Sequence, residues 1–138
     1  MKKKLAFILV CLLIVMAPAV SFATVKNFAN LSIDVPEGWQ TTENGSVVAL
    51  IAPDSSASMS IVVDSAQGLS VKELTDIFVA QMKGSTPEST GDGGFAFTFT
   101  PPNGVESHSV VYVEDNQYVM ITMTGYHPDM DKILDSLQ

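Results

Sequence analysis

Leu31, Ile33 and Val35 alternate with Ser32 and Asp34, and this period of two predicts a strand with one face buried. Pro36-Glu37-Gly38 turns the chain into Trp39, the only tryptophan. Asn44-Gly45, where both residues tolerate positive φ, predicts a hairpin. It leads into residues 47–52, apolar on both faces and so a central strand. After a turn at Pro53-Asp54-Ser55-Ser56 the alternation resumes at Met59, Ile61 and Val63.

The period then changes. Ser70 and Glu73 have the spacing of a capping box, and Val71, Leu74, Ile77, Phe78 and Met82 follow at helical spacing. Gly84 ends that helix, read as residues 70–83. Residues 85–94, rich in Gly, Ser and Thr, read as a surface loop. A three-strand meander follows. Phe95, Phe97 and Phe99 alternate with Ala96, Thr98 and Thr100; Pro101-Pro102-Asn103-Gly104 turns; 105–114 runs back; Asp115-Asn116 turns; 117–126 returns. Pro128 stands where a helix would begin, and Met130, Ile133, Leu134 and Leu137 form its apolar stripe. The order is four strands, a helix, three strands and a helix. Its natural solution is α+β: an antiparallel sheet of six to seven strands with two helices packed on it.

The first 23 residues read differently. Lys2, Lys3 and Lys4 precede an uncharged apolar run from Leu5 to Met16, and Ser21-Phe22-Ala23 offers small residues at the positions a signal peptidase reads. The run is short for a bilayer span of about 20 residues. We therefore expect cleavage near Ala23, one domain over residues 24–138, and a periplasmic or secreted location with no membrane attachment. Val10 before Cys11 is too large for a lipoprotein signal.

Removing that segment sharpens the charge. Lys26, Lys72, Lys83 and Lys132 stand against 15 acidic residues with no arginine, a net charge of −11. Such a surface repels nucleic acid and anionic lipid and attracts cationic partners. Cys11 is the only cysteine, so the domain has no disulfide, thiol chemistry or cysteine-ligated zinc. Its stability rests on an ordinary core.

The opening strand running into Pro36-x-Gly38-Trp39, the capped helix, the meander and a closing helix with Ile133-Leu134-Asp135-Ser136-Leu137 together resemble the PsbP-like and Ran-binding Mog families. Small exported bacterial proteins of the DcrB type share the pattern. The resemblance is one of element order over nearly the whole domain, and it implies an α/β/α sandwich. Known members mostly act as accessory subunits that bind other proteins. The basic docking residues of photosynthetic members have no counterpart in so acidic a chain, and no Ran-binding residue can be matched.

No motif singles out a catalytic centre. There is no Gly-x-Ser-x-Gly elbow, and there are only two histidines to act as bases. If the Asp115-Asn116 turn pairs 114 with 117, His108 faces Met123 rather than a ligand. His127, Asp129 and Asp131 superficially suggest a metal site, yet side chains two apart on a helix diverge and acids in a first turn suit the helix dipole. Gly91-Asp92-Gly93-Gly94 has the composition of an anion nest but reads as a plain turn beside so much negative charge. Met120 and Met123, read as strand residues, point to opposite faces, which favours packing over copper ligation.

Propagating the two turns through the meander predicts its faces. Phe95, Phe97, Phe99, Val110, Tyr112, Val119, Ile121 and Met123 fall on the core side. Thr98, Thr100, Ser107, Ser109, Thr122 and Thr124 fall on the other, framed by Tyr118 and Tyr126. A flat, uncharged hydroxyl face offers donors, acceptors and rigid aromatic area to a partner. We therefore expect an exported, non-catalytic accessory module without cofactor, binding another envelope or secreted protein through this face. The alternatives are a secreted hydrolase with an acidic pair the sequence does not locate, and a divalent-metal protein using His127, Asp129 and Asp131.

Overall fold

The Leu31–Val35 strand (β2) is paired by the segment just before it, Thr24–Phe28 (β1), in a two-stranded antiparallel hairpin. The computed structural model describes residues 24–137, and the expected secretion signal over 1–23, with Cys11, lies outside them. Next come β3 (Gln40–Asn44), β4 (Val47–Ile51) and β5 (Ala57–Ser65), then helix α1 (Val71–Met82). The two-residue β6 (Glu88–Ser89) precedes the meander of β7 (Phe95–Phe99), β8 (Ser107–Glu114) and β9 (Gln117–Gly125), and α2 (Asp129–Ser136) closes the chain. Strands β3 to β9 form one sheet in the order β3-β4-β5-β9-β8-β7-β6, with every neighbouring pair antiparallel. The expected α+β class and layered architecture are the observed ones. Strands β1 and β6 come in addition, since neither carries an alternation of its own.

Local signals place the helices as expected. Ser70 Oγ accepts from Glu73 N–H while Glu73 Oε2 accepts from Ser70 N–H, closing the capping box at 3.2 and 2.8 Å. Lys83 takes the left-handed conformation that ends α1. The chain then passes so close to β7 that a Cβ on Gly84 would lie 2.8 Å from the Phe97 ring. The helix turns Leu74 and Thr75 inward, whereas Ile77, expected in its buried stripe, is 42% exposed.

Two cores lie on opposite faces of the sheet. In the larger, the β1–β2 hairpin and α2 cover Val48, Leu50, Met59, Ile61 and Ile121 from β4, β5 and β9. Trp39 is 7% exposed there, and its Nε1 donates to Asp129 Oδ2 at 3.3 Å, so it packs at the start of the closing helix. In the smaller, α1 lays Phe78, Val79 and Met82 over Phe97, Val111 and Met120 of β7, β8 and β9.

Neither face is closed. Seven strands at about 4.8 Å spacing make a face roughly 30 Å wide, and a helix or hairpin covers about 10 Å of it. The hairpin and α2 leave the β8–β7 end of their face open, and α1 alone leaves the β3–β5 end of the other.

One expected face assignment is reversed. A four-residue turn at 101–104 would pair Thr100 with Val105, but the ladder pairs Phe99 with Ser107 and Phe97 with Ser109. Asn103 Oδ1 accepts from Val105 N–H at 3.0 Å, which draws Val105 out of the ladder and leaves a seven-residue connection. The register therefore differs by one residue, and because side chains alternate with period two the whole strand changes face. Phe95, Phe97 and Phe99 share the face of Ser107 and Ser109, and Phe97 and Phe99 form the floor beneath α1. Thr98 faces the opposite way, beside His108.

Candidate functional site

Three strands bring the hydroxyl residues together. Ser58 of β5, Thr124 of β9 and Ser107 of β8 stand in one row across the sheet, and Ser60, Thr122 and Ser109 in the next. The Asp115-Asn116 turn fixes the β8–β9 half: both residues have positive φ, and Glu114 pairs with Gln117 as expected. The same register sets His108 opposite Met123. Ser58 and Ser60 were not among the expected residues. Their alternation with Met59 and Ile61 is visible in the sequence, but the pairing of β5 with β9 is a long-range contact that no local signal announces.

The hydroxyls are bonded across the strands. Ser107 Oγ and Thr124 Oγ1 lie 2.6 Å apart, and Ser109 Oγ and Thr122 Oγ1 2.7 Å apart. Ser107 and Ser109 are 1% and 0% exposed, while Ser58, Ser60, Thr122 and Thr124 are half-buried. The cluster thus passes from a sealed edge near α1 to an accessible edge on β5, where Ile51 of β4 is exposed beside Ser58. Each pair satisfies its own hydroxyls, the serine sealed and the threonine half-buried.

The remaining expected members are placed apart. Tyr118 is on the same face but lies under α1, its ring 5.3 Å from that of Phe78. Burial, and then the Asp64 carboxylate, push its phenol above the ordinary tyrosine value. Thr98 is on the opposite face, Thr100 is exposed in the connection after β7, and Tyr126, 70% exposed, follows the end of β9. Only Ser107, Ser109, Thr122 and Thr124 of the eight form a single cluster.

Two residues of the metal alternative, His127 and Asp129, have other partners, and Asp131 is exposed. His127 Nδ1 accepts from Asp129 N–H at 3.1 Å, and its ring meets Trp39 edge-on at 5.3 Å. Asp129 accepts from Trp39 and pairs with Lys132 at 3.5 Å. Among the described residues no group of three His, Cys, Asp or Glu side chains is arranged to hold a metal ion. Met120 and Met123 lie in different cores. The Gly91–Gly94 turn is occupied by the protein itself: Asp92 accepts from Thr90 and from the Tyr112 hydroxyl, and the Tyr112 ring lies against Gly94.

Among known proteins, no family model matches the chain and no curated protein does. Solved structures do match. The solution structure of cyanobacterial PsbP (CyanoP) from Synechocystis sp. PCC 6803 superposes with a TM-score of 0.54, covering 88% of this chain and 96% of that one at 10% identity. A crystal structure from Bacteroides thetaiotaomicron VPI-5482 gives a TM-score of 0.51 at 16% identity, covering 78% of this chain. The match spans 44% of that longer protein. At these identities the likeness is one of fold. It is a PsbP-like fold, as the element order implies.

Proposed function

We propose that this protein is an exported, non-catalytic accessory module that docks on another protein of the cell envelope through the open β3–β5 end of its hydroxyl-bearing face. The observation that carries this reading is the half-exposed edge formed by Ser58, Ser60, Thr122 and Thr124 beside the exposed Ile51. The edge is held by sheet backbone, so its hydroxyls are presented at fixed spacing and lose little freedom when they are engaged. Among the described residues no helix is long and apolar enough to cross a membrane. Export rests on the residue pattern of 1–23, and the accessory role on the resemblance.

Photocrosslinking in the producing cell tests the reading. A photoreactive phenylalanine at Ile51 or Ser60 should give one discrete adduct, and at Gln67, on a loop away from this face, none. The adduct should disappear when Ser58 and Thr124 are both changed to lysine in a variant that unfolds at the same urea concentration as wild type. Adducts of equal yield from all three positions, or none from the face, would refute the docking surface. Turnover on a panel of hydrolase substrates would refute the non-catalytic assignment.

A further inference from the structure

The opposite face carries a second surface of different chemistry. Where the hairpin and α2 stop short of β8, the larger core is left unfinished along a groove of about 620 Å³ between α2 and the sheet. Its floor is apolar: Val110 of β8, Val119 and Met123 of β9, Leu134 of α2 and Leu137 just beyond it, all half-buried. Val110 and Val119 share this side of the sheet through the pairs Val110↔Ile121 and Tyr112↔Val119. Tyr112 reaches along one wall to donate to Asp92 Oδ2 at 3.1 Å, and Gly94 permits this because any Cβ there would lie 2.5 Å from the ring.

The rim is acidic. Asp92, Glu114 and Asp135 are exposed around the floor, and no lysine lines the groove. The cations of the described chain are engaged elsewhere or distant in sequence. Lys26 pairs with Glu43, Lys72 with Asp76 and Lys132 with Asp129, while Lys83 caps α1, which packs on the other face. Hydrogen bonds from Thr90 and then Tyr112 hold the Asp92 carboxyl below the ordinary aspartate value, so it stays charged at neutral pH. An apolar trough with three carboxylates and no intrinsic counter-charge is complementary to a chain that alternates apolar and cationic groups.

We propose that this groove binds a cationic amphipathic peptide segment, whose apolar side chains complete the unfinished core while its lysines or arginines meet Asp92, Glu114 and Asp135. The net charge of −11 carried by residues 24–138 would speed the encounter and make it sensitive to salt. A zwitterionic membrane would satisfy the floor and not the rim, and an anionic one would be repelled. The site is on the face opposite the hydroxyl rows, so it stands or falls independently of the docking surface proposed above.

The test uses the full chain and a synthetic twelve-residue peptide of leucines and lysines in amphipathic order, with a glutamate-for-lysine counterpart as control. Titration calorimetry should detect the lysine peptide only, with affinity falling at least tenfold between 50 and 500 mM salt. The double variant Glu114→Lys/Asp135→Lys, changed at exposed positions, should weaken binding at least tenfold, and amide NMR shifts should centre on Val110, Val119 and Leu134. Equal binding of the glutamate peptide, indifference to the rim variant, or shifts confined to Ser58, Ser60 and Thr122 would each overturn the proposal. So would binding to phosphatidylcholine vesicles without binding to the peptide. Val110→Ser, which leaves the rim intact, should also weaken the peptide and thereby separate the floor from the charges.

Discussion

The Ser109–Thr122 pair allows a quantitative test of whether the hydroxyl rows are a satisfied buried layer on one side and an accessible one on the other. Each partner is left without its bond when the other is truncated, but the consequences differ. Thr122→Val leaves the Ser109 hydroxyl, 0% exposed, with no route to water. A buried polar group so orphaned costs about 1–3 kcal/mol, and the upper half of that range applies here, about 2 kcal/mol. Ser109→Ala leaves the Thr122 hydroxyl, which is half-buried and can be hydrated, so its cost is about 1 kcal/mol. Replacing both removes the polar pair altogether, and the double variant should lose no more than about 1 kcal/mol, well short of the sum. Urea unfolding, followed by the fluorescence of the buried Trp39, measures all four corners of this cycle, with equal slopes required for the comparison. Additive losses, or a larger loss for Ser109→Ala than for Thr122→Val, would refute the assignment of the buried and open edges.

Four further outcomes are expected. Gly125→Ala should destabilise by about 3 kcal/mol or more, because φ is +72° and the new Cβ would lie 2.2 Å from the Ser56 carbonyl oxygen. Gly45→Ala, with φ +60° and open space around it, should cost only about 1 kcal/mol by the same thermal or urea assay. Ser70→Ala removes the side-chain half of the capping box and should cost about 1 kcal/mol, or roughly 4 °C in melting temperature. The Ser70 backbone N–H, and then its side chain, hold Glu73 below its ordinary 4.5, so its contribution is complete above that value and is lost as pH falls through the lower folded one. Melting curves of Glu73→Gln should therefore converge on wild type as pH is lowered from about 5 to 3, and a gap unchanged by pH would contradict this.

How much of this protein is legible in its residues follows from the range of each interaction. The capping box at Ser70, the Asp115-Asn116 turn and the stripe of α2 are local, set by groups a few positions apart, and each is found where the sequence puts it. The net charge is likewise a property of the residues alone, as is the absence of any cysteine after residue 11. The hydroxyl cluster was half visible because β8 and β9 are joined by a two-residue turn whose register the sequence dictates. Its β7 side is not legible, because one side-chain bond, Asn103 to Val105, shifts a ladder by one residue and so changes the face of every side chain on the strand. Ser58 and Ser60 enter only through pairing with a strand about sixty positions away, and the groove only through where α2 comes to rest. Sequence alone determined every element but β1 and β6, their order and the charge. Tertiary structure decided which faces are shared and which ends of the sheet stay open, because those depend on long-range register and on two covering layers narrower than the sheet they cover.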